Sequence, residues 1–172
     1  MTRLKPYHKC IYCLLAFAIL TSSSGCSEAA DSSVKLQARI DSLETQLAHT
    51  YKPGFGEFMS SIQNHHTKLW FAGKNANWDL ADFEVHELME IFDDIQTYET
   101  DRVESRSIPI IHAPLDSINF AIQQKDPQLF QRDFNLLTNT CNACHHEVNF
   151  GFNVVTIPQF NPFANQDFSP ND

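Results

Sequence analysis

Apolar residues recur along this chain at helical spacing in five stretches. Leu36, Ile40, Leu43 and Leu47 step by four, three and four residues, a stripe of barely two heptads. Residues 56–72 place Phe58, Met59, Ile62, His66 and Leu69 on one face, and Gly73 offers a stop. Residues 78–98 follow Asn77, which suits an N-cap, with Ala81, Val85, Leu88, Phe92 and Ile95 in the stripe. Ile111, Leu115, Ile118 and Ile122 mark a helix over 110–125. The last helix, 127–146, opens with Asp126 as cap and Pro127 in the first turn. Its stripe runs Phe130, Phe134, Leu137, Cys141, Cys144 and Val148.

Short turns at "GKNAN" and "KD" predict an all-α fold, an antiparallel four-helix bundle over residues 53–150. Its expected core holds Ile62, Leu88, Phe92, Leu115, Ile118, Ile122, Phe134 and Leu137. The charged stretch "ETDRVESRS" reads as a separator between the two halves of the bundle. Residues 26–52 read as a small-residue tether and a short N-terminal amphipathic helix, packed on the domain or serving as a stalk. Residues 151–172 carry Pro, Asn and isolated Phe without period. They predict an extended tail whose phenylalanines lie against the bundle, with a loose end.

The N-terminus adds an address. Arg3, Lys5 and Lys9 precede a short apolar run, Cys10 to Leu20. A bilayer span takes about 20 apolar residues, so residues 1–25 read as an export signal and not a membrane helix. "SSGC", ending at Cys26, resembles the lipobox of bacterial lipoproteins, with Ser23 where that motif usually carries an aliphatic residue. The resemblance implies lipid on Cys26 and anchorage at the periplasmic face of a bacterial membrane; ordinary cleavage after Ala29 is the rival.

Loss of the signal takes away three of 12 basic residues and none of 21 acidic ones. Nine basic against 21 acidic groups remain, a net charge of −12. Such a surface disfavours nucleic acid, and suits protein partners with basic docking patches. No Ser-His-Asp set, phosphate loop or carboxylate–metal motif argues for hydrolysis or phosphoryl transfer, so a carrier is expected and not an enzyme.

The chemistry is concentrated in "TNTCNACHHEVNF", residues 138–150. Cys10 and Cys13 leave with the signal and Cys26 is claimed by lipid, so Cys141 and Cys144 act as a pair. On a helix, positions i, i+3 and i+4 share a face. Two thiols there can reach the two vinyl groups of a haem, and His145 can bind its iron. The cysteines fall on the apolar stripe, so the haem enters the core. Three rivals are weaker. A redox dithiol wants a βαβ context, a structural zinc wants four ligands, and a disulfide across one turn is strained and leaves His145 unexplained.

Residues 55–148, an exported bundle with Cys-x-x-Cys-His late in its last helix, resemble the cytochrome c′ class of bundle cytochromes. "HHTKLWFAGKNANWDLADFEVHEL" is also similar to bacterial haem proteins related to that class. The resemblance implies one haem c on Cys141 and Cys144, with His145 as proximal ligand. Two departures stand out. "HEVNFGF" lacks the Arg that usually follows the ligand histidine, and the chain continues beyond the motif where that class usually ends.

In that class the distal residue sits on the first helix and often is no ligand at all. Three arrangements stay open here: Met59 as ligand, His66 as ligand, or an open site. Angle around the helix prefers His66. Height along it prefers Met59, because the end of the last helix meets the start of the first. Met59 is the expectation. His65 or His66, with Lys68, is a candidate to hold a haem propionate. His86 and His146 should face solvent or miss the iron, and Trp70 and Trp78 should pack. Two functions follow: a membrane-anchored electron-transfer protein meeting redox partners, or a five-coordinate haem protein binding nitric oxide or another diatomic gas. A homodimer is compatible with either.

Overall fold

The computed structural model describes residues 25–170. The expected export signal lies outside the described residues but for its last position, and so do the final two residues of the chain. Among the described residues the protein is all-helical. The elements are α1 (Gly25–Ala48), α2 (Phe55–Lys74), α3 (Trp78–Tyr98), a 3-10 helix (Glu104–Ile111), α4 (His112–Gln123) and α5 (Pro127–Glu147). The chain divides into two units at Tyr51–Lys52.

The first unit contributes α1. The helix begins at Gly25 and so takes in the stretch read from sequence as a tether. Cys26 falls in its first turn, where only the backbone is described. From residue 31 to residue 50 every side chain is exposed, including Leu36, Ile40, Leu43 and Leu47. Local pairs one turn apart support it: Lys35 Nζ on Asp31 Oδ2 at 2.6 Å and Gln37 Nε2 on Asp41 Oδ1 at 2.8 Å. Each such exposed pair contributes only about 0.2–0.5 kcal/mol.

In the second unit α2 lies along α3, α3 along α4 and α4 along α5, while α5 returns against α2. All eight residues expected in the core are buried there. Full burial of each such side chain stabilises by about 1.5–3 kcal/mol, so this shared interior is what holds the four helices together. The caps follow the sequence. Asn77 Oδ1 accepts from Leu80 N at 3.1 Å, and Asp126 Oδ1 accepts from Gln128 N and Leu129 N at 2.8 and 3.1 Å.

Three expectations need correction. Gly73 does not stop α2. The helix runs to Lys74 and closes with Asn77 N on Ala72 O and Ala76 N on Gly73 O, with Ala76 in the left-handed region at φ 59°. Gly73 is needed for a different reason: a Cβ there would overlap the buried ring of Phe130 on α5. The helix expected over 110–125 does not begin at 110. Residues 104–111 form a 3-10 helix first, with Ser107, Ile108 and Ile111 buried, so the supposed separator is structured. Pro109 lacks an amide hydrogen, and the α-helix takes over only from His112. Finally, of the tail phenylalanines only Phe168 is buried, against Phe71 and Phe163. Phe150, Phe152 and Phe160 are exposed.

Candidate cofactor site

The motif residues close α5. Thr138, Cys141, Cys144 and His145 follow its buried face, and the helix ends two residues after His145 with Asn149 left-handed at φ 67°. Phe150 N then bonds His145 O at 2.7 Å and Asn149 N bonds His146 O at 3.3 Å, which turns the chain back along the helix. Gly151 allows this tight return, because a Cβ there would sit 2.7 Å from the His146 ring.

The returning segment, α5, α2 and the 3-10 helix enclose a cavity of about 710 Å³. Cys141, Cys144 and His145 line one side. Met59, Ile62 and His66 line it from α2, and Ile108 and Ile111 from the 3-10 helix. Cofactor sites span roughly 300–1,000 Å³ and are mostly apolar with a few convergent polar groups, and this cavity is of that kind.

His145 is oriented by the tail. Its Nδ1 lies 2.6 Å from Asn153 O. A carbonyl only accepts, so in the neutral ring Nδ1 carries the hydrogen and Nε2 keeps its lone pair. A metal-ligating histidine has this tautomer, with its other ring nitrogen donating to a carbonyl in the same way.

His66 is held otherwise. Thr138 Oγ1 donates its one hydrogen to Phe134 O at 2.9 Å, so it can only accept from His66 Nε2, also at 2.9 Å. Nε2 is therefore committed and Nδ1 is the bare nitrogen. Burial pushes the His66 pKa down to about 4, which keeps the ring neutral. Its ring also lies 4.5 Å from that of Phe134.

The thiols have little thiolate character. Burial, then the neighbouring Cys144, pushes Cys141 up to about 12; burial, then Glu147, also raises Cys144. A thiol-exchange centre needs a lowered pKa, so a redox dithiol does not fit. Nor does a bare ion: among the described residues no three His, Cys, Asp or Glu side chains stand together as a metal cluster.

Of the residues singled out from sequence, Met59, His66, Cys141, Cys144 and His145 come together around one cavity. His65 and Lys68 do not. His65 Nδ1 is 2.7 Å from the buried Glu84 Oε2, and Lys68 stands 4.0 Å from Glu84 Oε1 and over the Phe163 ring. His86 and His146 are exposed. Trp70 and Trp78 pack on Phe130, with ring centroids 6.3 and 6.0 Å away.

Two participants escaped the sequence reading. Arg102 is the one Arg or Lys lining the cavity among the described residues, and it leans on the Phe55 ring at 5.6 Å. It sits inside a charged run with no period to mark it. The segment from Asn153 to Pro162 is the other, and its interleaved apolar residues Val155 and Ile157 were the available signal. Comparison with known proteins adds no identity: no family model, no curated protein and no solved structure matches this chain.

Proposed function

We propose that this protein is a mono-haem c-type cytochrome that transfers electrons on the exported side of a bacterial membrane. The reading has the haem domain as an antiparallel four-helix bundle of the cytochrome c′-like kind. The observation that carries it is the tautomer of His145. Asn153 O takes the Nδ1 hydrogen, so the Nε2 lone pair is free beside a cofactor-sized cavity, one turn from the unionised thiol of Cys141 and next in sequence to that of Cys144.

In this reading Cys141 and Cys144 hold the haem through thioethers and His145 binds its iron. Arg102 is the cation for a propionate, in place of the Lys68 expected from sequence. Bound there, the haem supplies a one-electron couple. The chain's own side chains set its surroundings: Ile62, Ile108 and Ile111 exclude water, which disfavours the more highly charged oxidation state. Met59 is the distal side chain. The His66–Thr138 and Gly73–Phe130 contacts together support the antiparallel pairing of α2 with α5, because moving up one helix moves down the other; Met59, two turns before His66, then falls toward the end of α5, level with the motif. An anchor at Cys26 and the net charge of −12 complete a membrane-tethered carrier for partners with basic patches.

A second reading, a five-coordinate gas-binding haem protein, has one observation in its favour. Thr138 claims His66 Nε2, so the distal wall presents no free Nε2 of a second imidazole. Oxidised and reduced spectra of the wild type and Met59→Ala separate the two. Loss of a weak near-infrared sulfur–iron band, with new carbon monoxide binding in the variant, supports the electron carrier. A wild type that already binds carbon monoxide supports the gas binder.

A further inference from the structure

Asn142 spaces the motif, and its side chain also holds the C-terminal segment. Its Nδ2 donates to Val155 O and its Oδ1 accepts from Val155 N, both at 2.8 Å. Two residues earlier in the same segment, Asn153 O accepts from His145 Nδ1. Extended chain repeats its orientation every two residues, and positions 142 and 145 lie one helical turn apart. One edge of the tail is thus gripped by two side chains of the motif itself.

We propose that Asn142 is a positioning residue for His145: its paired bonds to Val155 fix the register of the tail and so keep the Asn153 carbonyl on the imidazole. This rests on the haem reading, in which His145 is the ligand so oriented. The chain-reversing bonds at Phe150 and Asn149, with a turn that bonds Asn153 N to Phe150 O at 2.8 Å, bring the tail back as far as Asn153 but make no backbone bond at Val154 or Val155. Asn142 supplies that register as a donor and an acceptor on two separate atoms, which a side-chain amide offers, whereas an ionised Asp only accepts and an Ala does neither. The same grip holds Val154, Val155 and Ile157 over the cavity.

The test uses the full-length protein, 15N-labelled at histidine, as wild type, Asn142→Ala, and Asn139→Ala as an exposed control on the same helix. Solvent exchange of the His145 Nδ1 hydrogen is followed by NMR and tail cleavage at Phe152 and Phe160 by chymotrypsin. In Asn142→Ala both should quicken by about thirtyfold, the ratio set by losing two hydrogen bonds of ordinary net strength when opening is rapid. Asn139→Ala should match the wild type, and helical circular dichroism should be the same in all three. Val155→Pro removes the tail's amide hydrogen while leaving α5 intact, and should reproduce the acceleration should Asn142→Ala fold poorly. Equal rates in wild type and Asn142→Ala, or the same acceleration in Asn139→Ala, overturn the proposal. Absence of covalent haem from the wild type would instead sink the haem reading, and the ring proton and cleavage rates still decide the clamp.

Discussion

Thr138 offers His66 a lone pair and nothing else, and burial does the rest. With its pKa at about 4 folded and about 6.5 unfolded, His66 binds more protons in the unfolded chain between those values. Stability from this group is therefore complete above pH 6.5 and falls away as pH drops toward 4, by roughly 3 kcal/mol. His66→Gln keeps a donor for Thr138 and cannot titrate. Urea unfolding at pH 7 and pH 4.5 should show a pH-dependent loss about 2–3 kcal/mol smaller in the variant than in the wild type. Equal losses in both would mean His66 is not the neutral buried ring described. In haem-free protein made in the cytoplasm, an alkylating reagent at pH 8 should reach Cys144 well before Cys141, whose thiol sits at about 12. Peptide mass spectrometry over time reads the order.

Between helices, two small residues carry opposite consequences. Gly73 is where the Phe130 ring of α5 meets α2, and Phe130 is 2% exposed with no room to swing. Gly73→Ala should cost about 1–3 kcal/mol by overpacking, against the usual gain for alanine in a helix. Ala76 closes α2 at φ 59°, a region alanine tolerates poorly, and Ala76→Gly should stabilise by about 0.5–1 kcal/mol. Thermal melts check both signs. These positions also show why the element boundaries were only partly legible. Periodicity located the buried faces of α2, α3, α4 and α5, because Ile62, Leu88, Leu115 and Phe134 obey the helical repeat. It could not tell that Gly73 serves a ring from another helix, a contact 57 residues away in sequence. Nor could it mark the 3-10 helix, whose three residues per turn and Pro109 break the α period.

At the scale of the molecule, the candidate site was legible as far as it lay on regular helices. Met59, Cys141, Cys144 and His145 share a cavity because 3.6-residue spacing puts them on inward faces. Irregular chain was not legible. Arg102 and the segment 153–162 reach the cavity through turns, and the carbonyl that sets the tautomer of His145 is a backbone atom with no signature in sequence. The sequence predicts a tail that shelters the helices with its phenylalanines; it lines the cavity instead through Val155, Ile157 and Asn153, and Phe168 alone of those rings is buried.

Covalent haem on Cys141 and Cys144 is the proposal on which the electron-transfer reading depends. It is tested most directly by a pyridine haemochrome spectrum of protein exported by a bacterium, denatured and extracted with acidified acetone. The colour should stay with the protein in a one-to-one ratio, and a double Cys141→Ala, Cys144→Ala variant should retain none. Colour that passes into the solvent, or a colourless protein with two free thiols, would contradict it.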